Sequence, residues 1–146
     1  RFKKKINDAL LRINTWISFN GLKQTSCSGL DFPYKAKCPS NAKTKLFKDI
    51  NDVYDEIMRV YEVTEKQGLG LGQSLYSSCA FFVDYSLLLD ANMQNRIKEY
   101  NYCKTFSCPP FPSLNDTPYN TVSEFMIIEQ EYNSCMQNKQ KEANNA

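Results

Sequence analysis

The sequence predicts an all-α fold, a single compact helical domain of four to six helices stapled by three disulfides. Three observations carry this reading. Apolar residues recur at three- and four-residue steps over long stretches, as they do on the buried stripe of a helix. Charged residues make up 23% and only five glycines are present, so the chain is a folded domain and not a linker or a fibre. Six cysteines (Cys27, Cys38, Cys79, Cys103, Cys108 and Cys135) accompany a complete absence of histidine. An even count at wide, irregular spacing reads as three disulfides in a secreted domain, with the pairing open among fifteen connectivities.

The first helix is carried by Phe2, Ile6, Ala9, Leu10, Ile13, Trp16 and Ile17, with Lys3, Lys4, Lys5, Asn7, Asp8 and Arg12 on the other face. Asn20-Gly21 supplies its stop, since glycine accepts the left-handed conformation at low cost. Residues 24–43 read as a loop punctuated by Ser26, Ser28, Gly29, Pro33, Pro39, Ser40 and Asn41. The second helix spans 43–66, on a stripe of Leu46, Ile50, Val53, Ile57, Val60 and Thr64. Gly68, Gly70 and Gly72 then break the pattern. They alternate with leucines and follow no strand, so the stretch reads as a hinge or interhelix connection and not as a phosphate loop.

Residues 73–104 are apolar on most sides over Leu75–Leu89 and read as the central helix, either continuous or bent near Asp90-Ala91-Asn92. A buried strand over 80–89 is the competing reading. Cys108-Pro109-Pro110-Phe111-Pro112 forces an extended crossing. Thr117-Pro118 opens the last helix as cap and first position, and Val122, Phe125, Met126, Ile128, Tyr132 and Met136 carry it to about Asn138. The polar tail 139–146 is expected to fray.

At 146 residues one domain, 1–146, is expected, and 42% hydrophobic residues suffice for a core that disulfides supplement. The net charge of +2 does not favour a nucleic-acid polymer as partner. No apolar run reaches the roughly 20 residues of a membrane span. The chain opens at Arg1 in a basic cluster, and a cleaved leader is the expectation that fits the cysteines. Asn115-Asp116-Thr117 is a glycosylation acceptor pattern, which agrees with an extracellular, secreted protein.

No catalytic or metal centre is expected, and no cofactor. Cys103 and Cys108 lie at a zinc-knuckle spacing, but no second tight pair or histidine completes four ligands. Without histidine a nucleophile would need a lysine or carboxylate base, and the acids Asp49, Asp52, Asp55, Glu56, Glu62 and Glu65 read as the solvated face of the second helix. Lys35, Lys37, Lys43, Lys45 and Lys48 cluster and could meet an anionic polysaccharide or a host protein, although a solvated face is the favoured reading of them.

Aromatic residues, at 13%, are the stronger signal for binding. Buried tyrosine hydroxyls need partners, and a planar or cationic small molecule can stack between rings. Asp84 interrupts the apolar run Ala80–Leu89, and a carboxylate there is costly unless paired. It could accept from a ligand amine, lie on a narrow polar stripe, or pair with Arg12, Arg59 or Arg96. The candidate ligand site is therefore Asp84, Tyr85, Tyr76, Phe81, Trp16 and Tyr132.

A helical chain of this size, with six cysteines and nine tyrosines, resembles the small secreted salivary proteins of blood-feeding insects, in particular the 16–17 kDa salivary family of culicine mosquitoes. It departs from the odorant-binding pattern, because Cys38 and Cys79 are widely separated. The resemblance implies a non-enzymatic, anti-haemostatic scavenger of a host mediator such as a purine or a biogenic amine. The second reading, from another class, is an inhibitor that binds a host receptor, protease or coagulation factor through its basic surface.

Overall fold

The structure is a computed structural model and describes residues 2–22, 31–68 and 70–145. Its elements run α1 (Phe2–Asn20), β1 (Tyr34–Lys37), β2 (Thr44–Phe47), α2 (Ile50–Gln67), α3 (Leu71–Cys79), a 3-10 turn (Tyr85–Leu87), α4 (Ala91–Thr105) and α5 (Tyr119–Asn144). The all-α expectation therefore holds for the bulk of the chain, with a small antiparallel hairpin added.

The central helix is α1, and not the expected segment 73–104. Residues 9–17 are buried without a break, and α1 packs on α2, α3, α4 and α5. The polar residues within it do not mark a solvent face, because each is satisfied internally. Asn14 Nδ2 donates to Leu10 O at 2.8 Å and Leu88 O at 3.0 Å, and its Oδ1 accepts from Asp90 N at 3.1 Å and Gln94 Nε2 at 2.9 Å. Thr15 Oγ1 donates to Leu11 O at 2.8 Å. Arg12 donates to Asp8 and Glu131, both at 2.5 Å.

Segment 73–104 is divided. Helix α3 stops at Cys79, and α4 starts at Ala91 behind Asp90, whose side chain accepts from Met93 N at 3.0 Å. Between them neither an α-helix nor the alternative strand forms, only the 3-10 turn Tyr85–Leu87. Asp84 caps the 3-10 turn, accepting from Ser86 N at 2.9 Å. Phe82, Val83, Tyr85 and Leu88 of this connection are still buried, so the apolar run fills the core without regular structure.

The expected loop 24–43 and the start of the second helix are also corrected. Residues 23–30, with Cys27, lie outside the described residues. Thereafter β1 and β2 pair in the register Tyr34↔Phe47, Lys35↔Leu46, Ala36↔Lys45 and Lys37↔Thr44. Tyr34 stacks on Phe47 at 5.3 Å and Phe47 on Phe82 at 5.7 Å, which seats the hairpin on the core. Helix α2 thus begins at Ile50, capped by Asp49, whose side chain accepts from Asn51 N at 2.9 Å. The fully buried Glu56 of α2 accepts from Ser40 N and Ser40 Oγ, each at 2.9 Å, and from Arg59 Nε at 3.0 Å, tying the hairpin turn to the helix.

Helix α5 starts one residue later than expected, with Pro118 as its cap, and continues to Asn144 instead of ending near Asn138. The stretch expected to fray is held by Lys139 Nζ on Phe19 O at 2.6 Å and by Asn138 Nδ2 on Glu142 Oε1 at 3.3 Å. The three expected disulfides are not formed in this structure: among the described residues Cys38, Cys79, Cys103, Cys108 and Cys135 stand as free thiols. No helix of the described residues is long and apolar enough to cross a membrane.

Candidate functional site

The six residues singled out from the sequence fall into three groups. Trp16, Tyr76 and Tyr85 come together in the core, with ring centroids 5.7 Å apart for Trp16–Tyr76 and 5.2 Å for Tyr76–Tyr85. Their polar atoms already have protein partners. Trp16 Nε1 donates to Glu131 Oε1 at 2.8 Å, Tyr76 OH to Gly21 O at 2.7 Å, and Tyr85 OH to Tyr76 O. Burial pushes the pKa of both tyrosines up.

Asp84 and Phe81 stand apart from that stack. Asp84 is half-buried and spends its Oδ1 on Ser86 N and, at 2.6 Å, on Ser86 Oγ. The arginines named as its possible partners bind other acids: Arg12 pairs with Asp8 and Glu131, Arg59 with Glu56, and Arg96 with Glu99 and Glu124. Phe81 is 59% exposed. Tyr132 lies on α5, packed edge-on against Phe19 at 4.8 Å and near Tyr100 at 6.2 Å.

A cavity that the sequence reading did not identify lies beside Tyr100. It is a groove of about 710 Å³ between the C-terminal half of α4, the proline segment and the first half of α5, lined chiefly by Tyr100, Pro110, Leu114, Val122, Phe125 and Met126. Each wall has a local cause. The prolines hold the segment after α4 extended. A turn that bonds to itself then follows: Ser113 Oγ donates to Asp116 Oδ2 at 2.9 Å, and Thr117 Oγ1 to Ser113 O at 2.7 Å. That turn presents Leu114 at 74% exposure across from Met126 at 68%. The helical spacing of Val122, Phe125, Met126 and Glu129, directly after a proline-rich segment, was the signal available in the sequence.

One edge of the groove is polar. Glu129 Oε2 accepts from Tyr100 OH at 2.5 Å, and its Oε1 from Lys104 Nζ at 3.2 Å. The Tyr100 bond is the main cause, with Lys104 behind it, that holds the Glu129 carboxyl below its ordinary pKa, and desolvation opposes both only in part. Tyr100 is pushed up, by desolvation first and by Glu129 second. Lys104 sits 4.5 Å from the Tyr132 ring centroid, a cation–π contact. Gln130 and Asn133 complete this edge.

Two other cavities are less suited to an organic ligand. A groove of about 770 Å³ among α1, α4 and α5 is lined mostly by polar and charged side chains, of which Arg96 and Glu99 pair at 3.0 Å. A smaller cavity of about 300 Å³ lies where Gly68 and Gly70 meet Arg12 and Glu131. Among the described residues no group of three or more cysteines and acids converges to hold a metal ion.

The hairpin gathers the five clustered lysines. Lys35, Lys37, Lys43 and Lys48 are exposed, Lys45 is half-buried over the Phe47 ring at 5.7 Å, and none of the five is among the ion pairs of the described residues. Asn115 is exposed in the turn beside Leu114. The chain matches no family model, no curated protein and no solved structure.

Proposed function

We propose that this is a secreted protein that captures a small extracellular organic molecule without turning it over, and that the molecule sits in the groove between α4 and α5. One observation carries the reading: the groove offers about 710 Å³ with a mainly apolar lining that includes the Tyr100 and Phe125 rings and a charged group, Glu129, at its edge, the pattern of small-molecule sites, which span roughly 300–1,000 Å³. The stacked Trp16–Tyr76–Tyr85 group supports it by contrast, since its donors are already committed inside the protein. A flat ring would lie against Tyr100 and Phe125. An amine or ring N–H would face Glu129, Gln130 and Asn133. This chemistry fits a purine or an aromatic amine, the ligand class that the resemblance to insect salivary proteins also implies.

The test is a thermal-shift titration with adenine, adenosine and tryptamine on the wild type and on Leu114→Glu and Met126→Glu. Both side chains are mostly exposed, so the variants should fold. A ligand that raises the wild-type Tm with concentration, as linkage requires, and fails to do so in both variants supports the groove. Stabilisation that survives in both removes the ligand from it. A second reading rests on the hairpin, where five lysines lie outside the ion pairs of the described residues: it predicts salt-sensitive binding to a heparin fragment, unaffected by either groove variant.

A further inference from the structure

The end of α4 brings two cysteines together by backbone geometry alone. Phe106 N–H bonds to Tyr102 O at 3.0 Å, Ser107 adopts a left-handed conformation with φ 51°, and Cys108 N–H returns to Cys103 O at 3.0 Å. This is the 6→1 bond of a Schellman motif, in which the side chain three positions inside the helix end meets the one two positions beyond its cap. An apolar pair normally occupies those two positions. Here both are cysteine, and the neighbouring Cys108, behind desolvation, helps push the Cys103 thiol's pKa up.

The remaining described thiols are placed differently. Cys38, Cys79 and Cys135 are buried, whereas Cys103 and Cys108 are each partly exposed. Burial first and Glu56 second push the Cys38 thiol's pKa up, and Cys135 accepts from Asn20 Nδ2 at 3.4 Å. Cys103 and Cys108 are thus within reach of an oxidant in solution, and the hydrogen-bonded cap holds their backbones close together.

We infer that Cys103 and Cys108 form a disulfide that locks the C-terminal cap of α4 and anchors the proline segment that follows it. With glutathione disulfide as oxidant, one cysteine thiolate attacks a glutathione sulfur and releases one glutathione thiolate, leaving a mixed disulfide. The second cysteine thiolate then attacks the protein sulfur and expels the other glutathione. Two protein thiols are oxidised, one glutathione disulfide is reduced to two thiols, and the two protons pass to solvent or to the departing thiolates. The bond does not depend on the groove having a ligand.

The experiment uses the full chain, reduced and then equilibrated with a glutathione redox buffer. Remaining thiols are blocked with iodoacetamide, and the protein is digested without reduction by trypsin and a glutamyl protease. Cleavage after Lys104 falls between the two cysteines, and cleavage after Glu99 and Glu124 separates them from Cys135. The expected product is peptide 100–104 joined to peptide 105–124, lighter by two hydrogens than the sum of the free peptides. Recovery of both peptides alkylated, or of either one joined to a peptide with another cysteine, overturns the pairing. The Cys108→Ser variant provides the second readout: Cys103 should then be alkylated after the same oxidation, and its appearance in a different disulfide would count against a preformed pair.

Discussion

The three glycines at the junction of α2 and α3 should differ sharply in their tolerance of alanine, and Gly72, inside α3, should be the least tolerant. A Cβ on Gly72 would fall far inside van der Waals contact of the Glu131 carboxylate and the Trp16 indole nitrogen. Those atoms cannot step aside cheaply. Glu131 is 3% exposed, Trp16 Nε1 donates to it at 2.8 Å, and Arg12 Nη1 at 2.5 Å. Overpacking a filled site costs about 1–3 kcal/mol. Pushing the carboxylate off a buried donor adds about 1–3 kcal/mol. The gain from replacing glycine by alanine in a helix, about 1 kcal/mol at most, offsets part of this. The net loss for Gly72→Ala is about 1–5 kcal/mol by these sums, which in a chain of this size lowers Tm by on the order of 10 °C.

The neighbours calibrate the result. Gly68 closes α2 at φ 68° with open space around it, so Gly68→Ala should cost only the left-handed penalty of about 1–2 kcal/mol. Gly70 has nothing within 4 Å and an ordinary φ of −63°. For Gly70→Ala the reduced freedom of the unfolded chain and the poorer N-cap oppose each other, and the change should stay within about 1 kcal/mol. Urea unfolding followed by far-ultraviolet circular dichroism and by Trp16 fluorescence measures all three, compared as midpoints at a common m-value. Trp16 is the sole tryptophan, so the fluorescence reports on the contact itself. A Gly72→Ala midpoint no lower than that of Gly70→Ala would refute the packing of α3 against α1 and α5 argued above.

Glu56→Ala removes the acceptor of two Ser40 bonds and should cost about 2–4 kcal/mol, because hydrogen bonds to a buried charged acceptor are strong and their donors are left unpaired. Hydrogen exchange should show the hairpin amides losing protection ahead of those of α1; equal loss in both would mean that Glu56 does not anchor the hairpin. Glu129 sets a pH dependence. Its folded pKa is depressed below its ordinary 4.5, so its stabilising contribution is complete above about that pH and is lost as pH falls through the lower folded value. The stability gap between wild type and Glu129→Gln should therefore be open at neutral pH and close in strong acid, measured by urea unfolding across pH. A gap that stays constant with pH would show that the carboxylate charge is not what Tyr100 and Lys104 stabilise.

Helix identity was legible where one face is apolar and the ends carry punctuation. The stripe Val53, Ile57, Val60 and Thr64 is the buried face of α2, and Asn20-Gly21 marks the end of α1. The hairpin was not legible. Tyr34-Lys35-Ala36-Lys37 does alternate buried and exposed, but four residues beside Pro33 and Pro39 cannot outweigh loop signals. Run 80–89 misled for a related reason: composition shows that it is buried, while Asp84 and the 3-10 turn decide that it is buried as irregular chain. The candidate site was half legible. The aromatic residues were found, but ranking them as a pocket required knowing which hydroxyls the backbone already satisfies, and Gly21 O and Tyr76 O are far from their donors in sequence or invisible in a pattern.

Local physics is written in the order of residues: helical periodicity, helix stops, the proline crossing, and enough apolar residues for a core. Tertiary structure alone decided which helix lies at the centre, because Arg12, Asn14 and Thr15 look solvent-facing until Glu131, Leu88, Asp90, Gln94 and the α1 carbonyls supply their partners. It also decided where a cavity remains, since a groove is the space left when α4, a rigid proline segment and α5 cannot close on one another. No residue encodes that space singly.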